Sequence, residues 1–287
     1  MSFVPSHPRA ILPGMTCLRA LGLVLAFTIA PAAADPAKPA KIPVAFVISD
    51  GAVLIDFTGP WAVFEEVRNT PFELYTVAET AAPIRASTGM RIVPDYTFAN
   101  APRPKIIVIP AQGNHDKAVL DWVRSASSAA DLTMSVCNGA FLLAKTGLLD
   151  GKSATTFHIS LDELAHAFPK VKLERGARFV DSGKVATAGG LSSGIDLALH
   201  VVERYFGRNV AEQTAYDLEY QGKGWTDPKS NAIYLKPEPG VEDPVCHMHV
   251  DPATSSSSVY RGQHYYFCSP DEKVLFDAHP ERYLGNK

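Results

Sequence analysis

The sequence predicts an α/β fold, a mostly parallel sheet with helices on both faces, followed by a small separate module. Three observations predict it. Residues 42–48 (IPVAFVI), 105–110 (KIIVIP) and 131–137 (DLTMSVC) are short apolar runs with many β-branched residues. Strands buried on both faces of a parallel sheet read this way. Stretches of helical periodicity and crossover length separate these runs. Finally, Gly222-Lys223-Gly224 and Lys236-Pro237-Glu238-Pro239-Gly240 interrupt the alternation, and beyond them the composition turns to Cys, His, Ser and Tyr.

Each element follows in order. After the first strand, 57–67 has helical spacing, with Trp61, Phe64 and Val67 recurring at threes. Residues 72–78 (FELYTVA) alternate as a strand does, and 117–127 form an amphipathic helix between the second and third apolar strands. Helices are expected at 141–145, 161–168 and 192–206, with 179–188 as one or two strands. The α/β domain is assigned to 42–225, a linker to 226–241 and the small module to 242–287. So short a module cannot bury a sufficient core alone, so a metal, a disulfide or docking should help it.

The formal net charge of −3, with no basic cluster, argues against a nucleic-acid surface. Residues 1–34 read as a secretory signal peptide. Arg9 and Arg19 precede an uncharged run that ends in Pro31-Ala32-Ala33-Ala34. The 15 uncharged residues from Ala20 to Ala34 fall short of the roughly 20 of a spanning helix, although an uncleaved anchor is the competing reading. A start at Met15 would give the signal more usual proportions. Export implies a periplasmic or secreted protein with no stable membrane span after cleavage. Of four cysteines, Cys17 leaves with the signal, so Cys137, Cys246 and Cys268 remain. An odd number in an oxidising compartment suggests one pair and one free thiol, with Cys137 the natural free one.

Ser135-Val136-Cys137-Asn138-Gly139-Ala140 carries the most chemistry. An apolar strand ends in a nucleophile-type residue, and small residues lead straight into a helix, the pattern of a nucleophile elbow. A site is expected there, at the carboxyl edge of the sheet. A helix N-terminus favours the thiolate and supplies N–H groups for an oxyanion, so the Cys137 pKa is expected below about 8.5. The competing reading is a small buried hydrophobe.

Seven segments in this order and spacing make the chain resemble the PfpI-like, class I glutamine amidotransferase-like superfamily over roughly 42–222. They are Asp56-Phe57-Thr58-Gly59-Pro60, Ser87-Thr88-Gly89, Ile109-Pro110, Ser135-Val136-Cys137-Asn138-Gly139, Gly147-Leu148-Leu149-Asp150-Gly151-Lys152, Ala154-Thr155-Thr156, and Ala188-Gly189-Gly190 leading to Ser193-Gly194-Ile195-Asp196. The resemblance is nearest to isonitrile hydratases and the sensor domains of some AraC-type regulators. It implies a flavodoxin-like three-layer sandwich, usually a homodimer, with Cys137 as the reactive thiol and no cofactor in this domain. Asp56 matches the acidic residue beside the cysteine in isonitrile hydratases and would act as a general acid or base. Its alternative role is a helix N-cap.

The departures bear on the oxyanion site. Ala111-Gln112-Gly113 stands where those hydratases carry Gly-Gly, so Gln112 and Gly113 are candidate substrate-facing groups of altered geometry. Asn138 replaces the His of protease-like members, which argues against a Cys–His peptidase and leaves the Asn138 N–H as an oxyanion donor. Phe157 occupies a position where relatives have His, and His158 follows it as a site candidate, with His115 another.

In the module, Asp243-Pro244-Val245-Cys246-His247-Met248-His249, Tyr260-Arg261-Gly262, Tyr265-Tyr266-Phe267-Cys268-Ser269 and Pro280-Glu281-Arg282-Tyr283-Leu284 resemble the YHS domain. The resemblance implies zinc or copper held among Cys246, His247, His249, Cys268 and Glu272, with Met248 a soft donor for Cu(I). Glu272 stands where the family has a further cysteine, a departure that weakens the metal reading, because a carboxylate can still bind zinc but is a poor Cu(I) ligand. A Cys246–Cys268 disulfide and free thiols are the alternatives. Taken together, the expected function is a cysteine-dependent hydratase or hydrolase acting on a small electrophile. The alternative is a non-catalytic ligand-binding or metal/redox-stress protein using the same pocket.

Overall fold

The computed structural model describes residues 41–69, 71–235 and 240–284. The expected signal peptide and its cleavage site lie outside the described residues. In chain order, β1 (Ile42–Val47) leads into α1 (Leu54–Glu66) and β2 (Phe72–Ala78). A small hairpin, β3 (Ile84–Arg85) with β4 (Arg91–Ile92), and the two-residue strand β5 (Tyr96–Thr97) follow. Then come β6 (Ile106–Ile109), α2 (Lys117–Ala129), β7 (Leu132–Val136) and α3 (Gly139–Lys145). A short parallel pair, β8 (Ser153–Ala154) and β9 (Lys172–Leu173), brackets α4 (Leu161–Ala167). The domain continues through β10 (Phe179–Asp181), β11 (Val185–Ala188), α5 (Ser193–Phe206) and α6 (Arg208–Asp217).

Seven strands form one sheet in the order β10-β11-β7-β6-β1-β2-β5. All pairs are parallel except β10 with β11. The three apolar runs become the central strands β1, β6 and β7, where both faces are covered. The strand period of two sends alternate side chains to opposite layers. In β6, Ile106 and Val108 pack with Phe57 and Phe64 of α1 and Leu197 of α5, whereas Ile107 and Ile109 pack with Val123 of α2 and Leu143 of α3. Each such side chain stabilises the fold by about 1.5–3 kcal/mol on burial. The result is the expected three-layer α/β/α sandwich.

Two glycines bring α5 against the sheet and α1. A Cβ on Gly194 would lie 2.9 Å from Val136 Cγ1 and 3.4 Å from Pro60 Cγ, and one on Gly59 would lie 3.0 Å from Ile195 Cγ1. With α1 beginning at Leu54, three residues before the expected start, Pro60 is mid-helix and Asp56 falls inside the first turn. The Thr58 hydroxyl bonds the Leu54 carbonyl there.

Part of the expected linker is not one. Residues 224–226 and 230–235 form short 3₁₀ turns, and Trp225 and Asn231 are buried. The Trp225 N–H donates to Asp196 Oδ1 (2.8 Å) and Arg178 N–H to the Pro228 carbonyl (2.6 Å). These tertiary bonds build 226–235 into the α/β domain. Helix α6 has no apolar stripe that would predict it from the sequence: only Ala211, Thr214 and Ala215 are buried, all small residues.

The module pairs β12 (Val241–Glu242) with β13 (His249–Val250) and β14 (Ser256–Tyr260) with β15 (Gln263–Phe267), both antiparallel, and ends in α7 (Pro270–Ala278) and α8 (Pro280–Leu284). Phe267 and Phe276 are its buried centre, ring centroids 5.1 Å apart. The Ser269 hydroxyl caps α7 by accepting from the Glu272 N–H. Among the described residues, no helix is long and apolar enough to cross a membrane.

Candidate active site and metal cluster

Cys137 follows β7 directly and has φ 56°. That left-handed conformation is costly for a non-glycine residue and persists only when the surroundings impose it. Here the Cys137 N–H donates to the Gly189 carbonyl (2.9 Å), and the Thr156 hydroxyl donates to the Cys137 carbonyl (2.9 Å). Two residues on, the backbone passes so close to the β6 end that a Cβ on Gly139 would sit 2.3 Å from the Ile109 carbonyl oxygen and 2.8 Å from that of Pro110. Glycine is required at that point of the elbow.

Cys137 is 6% exposed. Backbone N–H groups of Asn138 and Leu191 hydrogen-bond its sulfur, but burial, with Asp56 adding to it, pushes the thiol up to about 11. The expected depression below the ordinary value is therefore overturned. Helix α3 is only seven residues long, so the loss of hydration outweighs its dipole. Cys137 rests as a neutral thiol.

Asp56 is fully buried. It is not an N-cap: Val53 holds that position, and Asp56 Oδ2 instead accepts the Ala111 N–H (3.0 Å) from the loop after β6. Its Oδ1 is buried without a hydrogen-bond partner. Burial raises its pKa to about 7, against the pull of the Ala111 bond. Among the described residues no hydrogen bond joins Asp56 to Cys137, and the two are coupled through their charges.

The other expected site residues divide. The Asn138 N–H faces the sulfur, while its Oδ1 lies 3.3 Å from the Thr156 hydroxyl. Gln112 Oε1 accepts from the Ser49 hydroxyl (2.8 Å), leaving Nε2 buried and without a hydrogen-bond partner. The Gly113 N–H is taken by the Asp50 carbonyl (3.1 Å), which removes Gly113 as an oxyanion donor. His158 stacks on Tyr234, with ring centroids 4.5 Å apart, while the ring of its neighbour Phe157 packs over Gly190. His115 Nδ1 lies 3.1 Å from Lys145 Nζ, and burial together with that ammonium lowers its pKa. Sequence reasoning missed Leu191, Thr156 and Ala111. Two of them act through the backbone, which leaves no side-chain signature.

In the module, Asp243, Cys246, Cys268 and Glu272 bring one potential ligand atom each to within 4.8 Å of one another. The two sulfurs are 3.6 Å apart and not bonded as a disulfide. Glu272 lies within hydrogen-bond reach of both thiols. Asp243 is buried and anchors the site by accepting the Val245 N–H (2.8 Å) and the Cys268 N–H (2.7 Å). Burial holds the Cys246 thiol up to about 12, and the hydrogen bond to Glu272 raises Cys268. His247 and His249 are not in the cluster. His247 pairs with Glu242 (2.6 Å), and His249 is exposed on β13. Asp243, the residue missed, takes their place. Two thiols and two carboxylates suit zinc and are a poor set for Cu(I).

Comparison with known proteins follows these two regions. Residues 43–204 match the DJ-1/PfpI family model, and 241–287 match the YHS domain model. An isonitrile hydratase of Pseudomonas putida is 30% identical over 182 residues, covering 62% of this chain and 78% of that protein. The HTH-type transcriptional regulator GbdR of Pseudomonas aeruginosa is 23% identical over 71% of this chain, which spans only 61% of the regulator's length. Among solved structures, a ThiJ/PfpI family protein from Pseudomonas syringae superposes with a TM-score of 0.59 at 26% identity, covering 67% of this chain and 84% of that one. Drosophila melanogaster DJ-1beta superposes with a TM-score of 0.55 at 20% identity, covering 62% and 98%, a likeness of fold.

Proposed function

The chain belongs to the DJ-1/PfpI family, and from that membership and the Cys137 geometry we propose an exported cysteine-dependent hydratase or hydrolase for small electrophiles, with an isonitrile carbon as the best-fitting target. The observation that carries the reading is a neutral thiol on a strained elbow, coupled to a buried carboxyl whose pKa is about 7. Near neutral pH such a carboxylate can take the thiol proton and give it back, which is what addition of S–H across an isonitrile carbon requires.

Cys137 Sγ attacks the terminal carbon of R–N≡C while Asp56 accepts the thiol proton. Asp56 then delivers that proton to the same carbon. One S–H bond breaks, one C–S and one C–H bond form, and a thioimidate, R–N=CH–S, remains on the protein. Water adds across the C=N bond, oxygen to carbon and hydrogen to nitrogen. The tetrahedral carbon then expels sulfur as its hydroxyl proton passes through Asp56 to Cys137. The product is the N-substituted formamide, and the thiol is restored. The Asn138 and Leu191 N–H groups stabilise negative charge on the departing sulfur. A neutral resting thiol fits this cycle better than redox sensing, which works through an exposed thiolate.

For the module the reading is zinc held by Asp243, Cys246, Cys268 and Glu272. Bound zinc would contribute folding free energy to a domain with a small core. A homodimer is proposed with it. Export and cleavage after Ala34 rest on the uncharged run and Ala32-Ala33-Ala34. The deciding experiment screens isonitriles and α-oxoaldehydes against wild type and Cys137→Ala. Formamide production lost in Cys137→Ala supports the hydratase. If no compound is turned over faster by wild type than by Cys137→Ala, the enzymatic reading fails and ligand binding replaces it.

A further inference from the structure

Leu191 supplies one of the two N–H groups on the Cys137 sulfur, yet it sits in an exposed loop with φ 47°. Such a conformation needs an anchor, and the next residue provides one. Ser192 Oγ accepts from Arg178 Nη2 (2.9 Å). The same guanidinium donates through Nε to Asp196 Oδ2 (2.6 Å) and through Nη1 to Asn231 Oδ1 (3.2 Å). Asp196 lies in the first turn of α5 and its side chain is 1% exposed. Its other oxygen accepts the Trp225 N–H (2.8 Å), and the Tyr220 hydroxyl reaches Oδ2 (3.1 Å). The backbone of Arg178 belongs to the same frame. Its carbonyl accepts from the Gly189 N–H (2.9 Å), and the Gly189 carbonyl in turn accepts from the Cys137 N–H (2.9 Å). A planar, fork-shaped cation held by a buried carboxylate and two further acceptors has few alternative orientations.

We propose that Arg178, clamped by Asp196, is a positioning residue of the thiol site, holding Ser192 so that the Leu191 N–H stays on the Cys137 sulfur. The proposal deepens the hydratase reading and rests on Cys137 as its nucleophile. Its test needs no substrate, so its failure and that of the hydratase are separable. Removing either buried charge endangers folding, so the decisive variant is Ser192→Ala, which deletes only the hydroxyl that the guanidinium grips. Ser192→Thr keeps that hydroxyl.

The measurement is the second-order rate of Cys137 alkylation by iodoacetamide at pH 9, with thermal melts of each full-length protein as the folding control. Loss of a hydrogen bond to the anionic form raises the thiol pKa. Each unit lowers the thiolate tenfold while making it a better nucleophile, a net fall of about fourfold. Ser192→Ala is expected to alkylate about fourfold more slowly than wild type, with Ser192→Thr close to wild type and both melting normally. A Ser192→Ala protein that melts normally and reacts at the wild-type rate overturns the proposal. Equal losses in Ser192→Ala and Ser192→Thr also overturn it, because the effect would then belong to packing and not to the hydrogen bond.

Discussion

Asp56→Asn should make the protein more stable and nearly inactive at once. The Asp56 pKa is raised from 3.8 to about 7 by burial, so the folded state holds a proton that the unfolded state has released between those values. Stability from this group is complete below pH 3.8 and is lost as pH rises through about 7. A shift of about three units corresponds to ~4 kcal/mol of lost stability on the alkaline side. Asparagine does not titrate, keeps an acceptor for the Ala111 N–H, and places an amide where Oδ1 has no partner. Allowing for that buried amide, the variant should exceed wild type by about 1–3 kcal/mol at pH 8 and lose the advantage near pH 4.5. Turnover of a true substrate should fall about 10²–10⁴-fold, because the proton carrier is gone. Urea unfolding at several pH values, with initial rates on the same samples, measures both. Stability curves that run parallel from pH 4 to 8, or a variant that keeps its turnover, would refute the reasoning.

Wild-type kcat/KM should rise with pH through about 7, as the Asp56 carboxylate forms. Cys137 alkylation should go on accelerating beyond pH 9 toward about 11, and a plateau below pH 8 would contradict the neutral thiol. Gly139→Ala should cost about 1–3 kcal/mol or displace the elbow, since its Cβ would press on the Ile109 and Pro110 carbonyls; a melt within error of wild type would count against that crowding. Elemental analysis of protein purified without chelators should find zinc, retained in His247→Ala and His249→Ala and reduced in Asp243→Asn and Glu272→Ala. N-terminal sequencing of the exported protein should begin at Asp35, whereas a soluble product retaining Met1 or Met15 would sink the signal assignment.

What the sequence disclosed and what it withheld divide along physical lines. Central strands β1, β6 and β7 were readable because burial on both faces demands continuous apolar runs, and only short stretches of this chain supply them. The elbow was readable because Cys137-Asn138-Gly139 compresses its chemistry into three adjacent positions. Long-range pairings were not. Arg178 meets Asn231 across 53 residues, and no local pattern announces that. Asp56 was found through its likeness to a family motif, but the cause of its raised pKa, burial with one oxygen unpaired, depends on packing from the loop at Ala111. In the module, His247 and His249 drew attention as residue types, yet the tight turn at His247 (φ 63°) carries its ring to Glu242 and leaves Asp243 with the sulfurs.

The contacts at Gly59 and Gly194 bear on how such a protein changes over generations. They lock α1, which carries Asp56, to α5 and to the end of β7, which leads into Cys137. The spacing of Asp56 and Cys137 is thus inherited with the scaffold, and no loop has to maintain it. Leu191, beside the thiol, sits in a loop outside that lock and is open to exchange on its own. A lineage could therefore alter what surrounds Cys137 without first rebuilding the framework that holds it.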